Sequence, residues 1–312
     1  MNVAFFGSPA SAIPSLQHLL EGGHSVSLVV TQPDKPAGRG RRLTPSAVKV
    51  FAAGRGIPVL EPVKIRRDET ILNRLREDAP DIIVVAAYGQ IIPDAIIYAP
   101  PHHALNVHFS LLPKYRGAAP VQWAVLNGET ETGVTIIELN DRMDEGNILA
   151  WAATPIGSRE TAGELEARLA VMGADLLVRT IDGIGGIKPL PQDHGLASLA
   201  PKIRKEEGRI EWSESAVGID RKVRALADRP GTFTFFRDRR LQIHGGRTLA
   251  ASGEDRAPGE ILSVSREGLL VVCGGGSVYL AEDVQPEGRT RMPAYGFALG
   301  AKIKPGEVLG GN

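Results

Sequence analysis

Asn106, His108 and Asp144 are the residue types in this chain best suited to chemistry at a carbonyl. Asn106 and His108 belong to the run Asn106-Val107-His108-Phe109-Ser110-Leu111-Leu112-Pro113, which continues as Lys114-Tyr115-Arg116-Gly117. An apolar strand ends there on alternating polar side chains and gives way to a Pro/Gly loop. Alternate side chains of a strand share a face, so the amide and the imidazole point the same way. Asp144, in the acidic loop Asn140-Asp141-Arg142-Met143-Asp144-Glu145-Gly146-Asn147, is the best partner for His108 by type. A carboxylate beside an imidazole favours its charged form. An imidazolium and an amide can stabilise the oxyanion of a tetrahedral intermediate, and the carboxylate can help take a proton from an attacking amine. The plainer reading makes the octet a strand end that satisfies loop backbone and Asp144 a turn former before Gly146. Residue type and position alone leave both readings open.

Covalent and metal-based alternatives find little support. Ser110 lacks the nucleophile-elbow pattern, and the single cysteine, Cys273, sits in an apolar run where a small buried hydrophobe is expected. One cysteine excludes an intramolecular disulfide framework and a cysteine-cluster metal site. His102 and His103 are adjacent, so a β conformation would send them to opposite faces, and no metal site is expected. Gly7-Ser8-Pro9 carries no dinucleotide fingerprint. The stretch Thr31-Gln32-Pro33-Asp34-Lys35-Pro36-Ala37-Gly38-Arg39-Gly40-Arg41-Arg42-Leu43-Thr44-Pro45-Ser46 is basic and rich in Pro and Gly. Lys35, Arg39, Arg41 and Arg42 could fit a phosphate backbone, or could simply be a solvated loop. A second basic run, Lys202-Ile203-Arg204-Lys205, is diluted by Glu206-Glu207.

The apolar pattern lays out the scaffold around these residues. Residues 3–6, 26–30, 82–86 and 104–107 read as strands, and Ile13, Leu16, Leu19 and Leu20 recur at helical spacing before Gly22-Gly23. Residues 134–139 and 148–152 read as two more strands, separated by the acidic loop. Alternating strands and helices imply an open α/β sheet with ligands at the carboxyl ends of its strands. A long helix is expected over residues 162–184, with Leu165, Leu169, Met172, Leu176, Leu177 and Ile181 on its apolar face, before a Gly/Pro-rich stretch at 183–192. One amphipathic helix near 216–227 then precedes short strands at 232–236, 241–244, 259–264, 269–273 and 278–280, a pattern that suggests a small barrel. Lys302-Ile303-Lys304-Pro305-Gly306-Glu307 reads as a tail folded back onto that barrel.

With 312 residues, 43% hydrophobic and 23% charged, the chain has room for two domains, divided here as 1–187, a linker at 188–207, and 208–312. The formal net charge is zero, so any polyanionic partner must be met by a local patch. The N-terminal apolar run is too short for a signal peptide, and no segment has membrane-spanning length, which makes the cytoplasm the default expectation.

The segment from Asn106 to Gly117 resembles the signature of the folate-dependent formyltransferases, and Gly133-Val134-Thr135-Ile136-Ile137-Glu138, with Asp144 after it, resembles their companion element. The resemblance implies a Rossmann-like catalytic domain and a C-terminal barrel of an oligonucleotide-binding type. It implies that the formyl group of 10-formyltetrahydrofolate passes to an amine, with Asn106 and His108 polarising the formyl oxygen. Asp144 would keep His108 charged and manage the amine proton. Ser110, Leu111, Leu112 and Pro113 match the stretch lining the folate site, and Tyr88, Gly89, Gln90 and Ile91, in Ala87-Tyr88-Gly89-Gln90-Ile91-Ile92-Pro93, resemble the loop that cradles the pterin largely through backbone.

Within the family, the chain is most similar to the members whose acceptor is methionine esterified to initiator tRNA. Lys35, Arg39, Arg41 and Arg42 match their inserted tRNA loop, and Lys202, Arg204 and Lys205 the opening of their tRNA-binding barrel. Such enzymes are implied to be monomers. The rival is a formyltransferase for a small amine such as an amino sugar nucleotide, for which the basic loop has no purpose. Two positions depart from the pattern. Phe109 replaces a small residue, and could pack beneath the strand or narrow the folate mouth. Ala227-Asp228-Arg229-Pro230-Gly231 lacks the expected aromatic before its proline.

Overall fold

A computed structural model describes residues 1–37 and 42–311. These divide into two compact units: one formed by 1–120, 131–155 and 166–201, the other by 121–130, 156–165 and 202 onward.

The first unit is built on strands β1 (Asn2–Gly7), β2 (Ser25–Val30), β5 (Val59–Leu60), β6 (Ile82–Ala86), β7 (Ala104–His108), β9 (Glu131–Glu138) and β10 (Ile148–Pro155). Shorter pieces complete the series: β3 (Lys35–Ala37) pairs antiparallel with β4 (Arg42–Thr44), and β8 (Arg116–Gly117) runs parallel to β11 (Leu199–Ala200). The seven long strands lie in the order β10-β9-β7-β6-β1-β2-β5. From β7 to β5 every pairing is parallel, whereas β9 runs against β7 and β10 against β9. This is the open, mostly parallel sheet expected. Strands covered on both faces must be apolar throughout, which is why β6 is buried at every position and β1 from Val3 to Gly7.

Helices flank the sheet. α1 (Ile13–Glu21) begins with Pro14 in its first turn and ends at Gly22, before Gly23 takes a left-handed φ of 81°. α2 (Ala47–Ala53) is capped by the Ser46 hydroxyl, and α3 (Glu69–Asp78) by the Asp68 carboxylate. A short α4 (Asp94–Ile97) follows β6. None of these three was expected from the sequence. α6 (Ala162–Asp182) spans the long helical pattern and ends two residues before the expected 184. Gly173 on it faces β7 and β9: a Cβ there would lie 2.9 Å from Val107 and 3.2 Å from Val134, with the Phe109 ring at 3.6 Å. Phe109 therefore packs beneath the strand against α6, and of its two expected placements that is the one adopted.

The expected linker at 188–207 is not one segment. Residues up to 201 are bound into the first unit, where Leu190 bridges Ile148 and β11 pairs with β8. His102 and His103 lie in a turn rather than a strand; His103 is left-handed (φ 58°) and stacks edge-on to Tyr98.

The second unit contains α5 (Pro120–Asn127), apart from its first residue, and α7 (Ala216–Ala225), which ends two residues short of 227. Its antiparallel strands are β12 (Thr232–Phe236), β13 (Arg239–Leu249), β14 (Ile261–Ser265), β15 (Gly268–Val272) and β16 (Val278–Pro286), in the order β12-β13-β16-β15-β14. β17 (Met292–Pro293) pairs with β16 and leads into α8 (Ala294–Ala301), a helix the sequence reading did not name. The terminal residues then close the sheet. Gly306 donates to the carbonyl of Ile261 at the start of β14, Leu309 to that of Gly259 just before it, and Gly310 to that of Phe235 on β12. Leu309 is buried with Trp212, Ile219, Phe236, Leu269 and Tyr279 in the core so enclosed. Cys273 belongs to the same core, where burial pushes its thiol up to about 12.

Candidate active site

The site is built on the parallel neighbours β6 and β7, whose carboxyl ends lie side by side through the pairs Val85↔Asn106 and Ala86↔Val107. Asn106 and His108 do share a face, as their spacing on the strand requires. The acidic hairpin joining β9 to β10 brings the third group. Because β9 runs against β7, this hairpin leaves at the start of β7, where Leu139 donates to the Ala104 carbonyl. It then folds back until the Asp144 carboxylate meets both Asn106 and His108. Asn106 Nδ2 lies 3.4 Å from Asp144 Oδ1, and His108 Nδ1 lies 3.7 Å from the same oxygen. The second distance is an ion-pair separation, longer than a hydrogen bond. The other carboxylate oxygen accepts the Gly117 backbone N–H at 2.8 Å.

His108 is 5% exposed and Asp144 13%, so this polar set is largely withdrawn from water. His108 Nε2 sits 2.9 Å from the Tyr115 carbonyl. A carbonyl can only accept, so Nε2 carries a proton and donates it there. Both ring nitrogens therefore face oxygen acceptors. Tyr115 presents its carbonyl from a left-handed backbone (φ 63°), and Asp144 is left-handed too (φ 55°).

The loop after β7 is fastened from below. Thr135, opposite His108 on β9, donates to the Ser110 carbonyl (2.7 Å) and accepts the Leu112 N–H (3.1 Å). The Ser110 hydroxyl donates to the Lys114 carbonyl at 2.6 Å, and the buried Leu112 packs with Ile137 and Ile148. Leu111 and Pro113 are half-buried.

In the loop after β6, the Tyr88 ring is in the core against Phe6, where burial raises its phenol, and its carbonyl accepts from Gln32 Nε2 at 2.6 Å. Gln90 holds the neighbouring chain, accepting from Ile65 N–H and donating to the Pro62 carbonyl. Gly89 takes a positive φ of 80°, and a Cβ there would displace Gln32 Nε2, which would lie at 2.4 Å. Ile91 is exposed.

Of the basic residues, Lys35 contacts Gln32 and is exposed on β3, and Arg42 is exposed on β4. Arg39 and Arg41 lie outside the described residues. Lys202, Arg204 and Lys205 are exposed in the second unit. Among the described residues, no group of three or more His, Cys, Asp or Glu side chains is placed to hold a metal.

Arg116, Gln192, Glu145 and Thr135 also belong to the site, though the sequence alone does not single them out. Arg116 is 4% exposed and reaches Gln192 and Glu145, which surround the Asp144 turn. Arg116 stands beside Lys114 in a basic Pro/Gly loop, which by itself reads as exposed and not as a buried anchor, and nothing in the sequence marks Gln192.

Residues 1–181 match a family described as formyl transferase, and residues 202–302 one described as formyl transferase, C-terminal domain. The methionyl-tRNA formyltransferase of Citrifermentans bemidjiense is 46% identical, over 99% of this chain and 96% of its own. Two solved structures share the fold at low identity. An N-formyltransferase from Helicobacter canadensis, in complex with folinic acid and dTDP-3-aminofucose, has a TM-score of 0.65 at 18% identity, covering 91% of this chain and 98% of its own. HypX from Aquifex aeolicus, in complex with tetrahydrofolic acid, has a TM-score of 0.65 at 18% identity over 95% of this chain and 46% of its own.

Proposed function

From the premise that this chain belongs to the formyl transferase family, we propose that it transfers the formyl group of 10-formyltetrahydrofolate to the α-amino group of methionine esterified to initiator tRNA. The observation that carries the reading is the convergence of Asn106, His108 and Asp144 at one end of β7. The methionyl-tRNA formyltransferases it resembles over their whole length support the acceptor.

The amine attacks the formyl carbon, forming the new N–C bond while the carbonyl electrons move onto oxygen. Asn106 and His108 are the donors for that oxyanion. Collapse of the tetrahedral intermediate breaks the bond from the formyl carbon to the folate nitrogen. The amine gives up a proton to Asp144, and Asp144 passes it on to the departing folate nitrogen, so the carboxylate ends as it began. No covalent enzyme intermediate is needed. Ser110, Leu111, Leu112, Pro113 and the Tyr88–Ile91 loop form the folate side. The buried Tyr88 ring and the engaged Ser110 hydroxyl suit a role through shape and backbone. Lys35, Arg39, Arg41 and Arg42 serve the tRNA from the first unit, and Lys202, Arg204 and Lys205 from the second, in a monomer of the cytoplasm with a catalytic domain ahead of a tRNA-binding barrel.

The test is formyl transfer from 10-formyltetrahydrofolate, measured side by side with charged initiator tRNA and with a dTDP-amino sugar. Turnover with the tRNA alone is expected. Turnover with the sugar alone would move the acceptor to a small amine, and the basic run from Lys35 to Arg42 would lose its purpose.

A further inference from the structure

Asp144 occupies a left-handed backbone region (φ 55°) that costs residues with a Cβ, aspartate less than most, and that gains from support by its surroundings. One side chain supplies much of that support. Gln192 Nε2 donates to the Asp144 carbonyl at 2.8 Å and to the Gly146 carbonyl at 2.7 Å, so it ties together both ends of the turn that carries the carboxylate. Its Oε1 accepts from Arg116 Nε at 3.1 Å and Nη2 at 2.7 Å. Arg116 Nη1 continues to Glu145 at 3.2 Å, inside the same turn. Gln192 and Arg116 are both buried, and every polar atom of the Gln192 amide is matched. The partners also fix which way the amide points, since only NH2 can meet two carbonyls and only oxygen can meet a guanidinium.

We propose that Gln192, itself held by Arg116, is a positioning residue for formyl transfer: it fixes the left-handed turn that delivers the Asp144 carboxylate to Asn106 and His108. The proposal rests on the reading of Asp144 given above. Gln192 meets Asp144 through its backbone and not its carboxylate, so its loss leaves substrate binding intact and slows turnover.

Gln192→Glu tests this. It keeps the side-chain shape and still offers Arg116 an oxygen, but it removes both donors and sets an oxygen against two carbonyls. Gln192→Met removes the donors without adding charge, and serves if the first variant does not fold. The expected result is a fall in kcat on the order of 10- to 100-fold, the scale of a catalytic group displaced by about 1 Å, with KM for both substrates within about twofold of the parent and an unchanged folded fraction. In an Asp144→Asn background the same substitution should leave the residual kcat unaltered, because its route of action is already gone. Parental kcat in both folded variants, or an equal loss with and without the Asp144 carboxylate, would overturn the proposal. Parental activity in Asp144→Asn itself would instead overturn the reading of Asp144.

Discussion

At the residue scale, three side chains of different types share one carboxylate neighbourhood, and their separate losses should be distinguishable. Asn106 is a neutral donor, so Asn106→Ala removes one oxyanion contact and should cost about 10²- to 10³-fold in kcat. His108→Ala also leaves the Tyr115 carbonyl without its 2.9 Å donor, and Asp144→Ala leaves the Gly117 N–H without its 2.8 Å acceptor. Both should abolish most turnover while tRNA binding, measured by filter retention, persists. Near-parental turnover in either would sink the assigned roles. Each alanine variant also removes a buried hydrogen-bond partner, so its melting temperature has to be measured beside its rate. Much of this set was legible beforehand, because alternation on a strand fixes which side chains share a face. Gln192 was not, since it meets Arg116 across 76 residues of sequence and sits in a stretch that reads only as Pro-rich loop.

At the element scale, the acidic hairpin is what makes the site possible. Its shape depends on Gly146, where a Cβ would lie 1.6 Å from the Glu138 carbonyl oxygen. Backbone cannot yield as a flexible side chain can, so Gly146→Ala must push the hairpin away from β9. The expected cost is about 1–3 kcal/mol in urea unfolding. It should come with a loss of kcat larger than the stability change explains, because Asp144 is only two residues away. Gly185→Ala, where a Cβ meets nothing within 4 Å, is the matched control and should be silent. A silent Gly146→Ala would mean that the hairpin is not held where its hydrogen bonds place it. The same scale separates what the sequence shows from what it hides. β1 and β6 are readable because a strand covered on both faces is a continuous apolar run, and β2 and β7 because apolar residues still dominate theirs. α3 was missed because only Ile71 and Leu75 of its ten residues are buried, and α8 because Gly296 and Gly300 interrupt it. The closure of the antiparallel sheet by residues 306–310 rests on backbone hydrogen bonds, which leave no periodic trace in the side chains.

At the scale of the whole molecule, a net charge of zero means that salt-dependent binding must come from local cations and not from an overall field. Asp34 and Glu61 both pair with Lys49 at 2.8 Å, and the two carboxylates raise the Lys49 ammonium above its ordinary range. Lys49 is therefore committed, and its cluster with two carboxylates keeps one net negative charge next to the cations that follow Asp34 in the sequence. The exposed Lys35 and Arg42, with Arg39 and Arg41, form one candidate phosphate-binding group; Lys202, Arg204 and Lys205, exposed in the second unit, form the other. Removing one cation that neutralises a phosphate should lower the slope of log K against log salt by about 0.7–0.9. Replacing Arg39, Arg41 and Arg42 with alanine should therefore flatten the slope for initiator tRNA by roughly 2–3 if all three meet phosphates, while kcat at saturating tRNA stays near parental. Replacing Lys202, Arg204 and Lys205 should do the same independently. Combining the two sets decides whether the units hold one tRNA together. If each set meets different phosphates of the same molecule, the two decrements in slope add; an unchanged slope for either set removes that group from the interface.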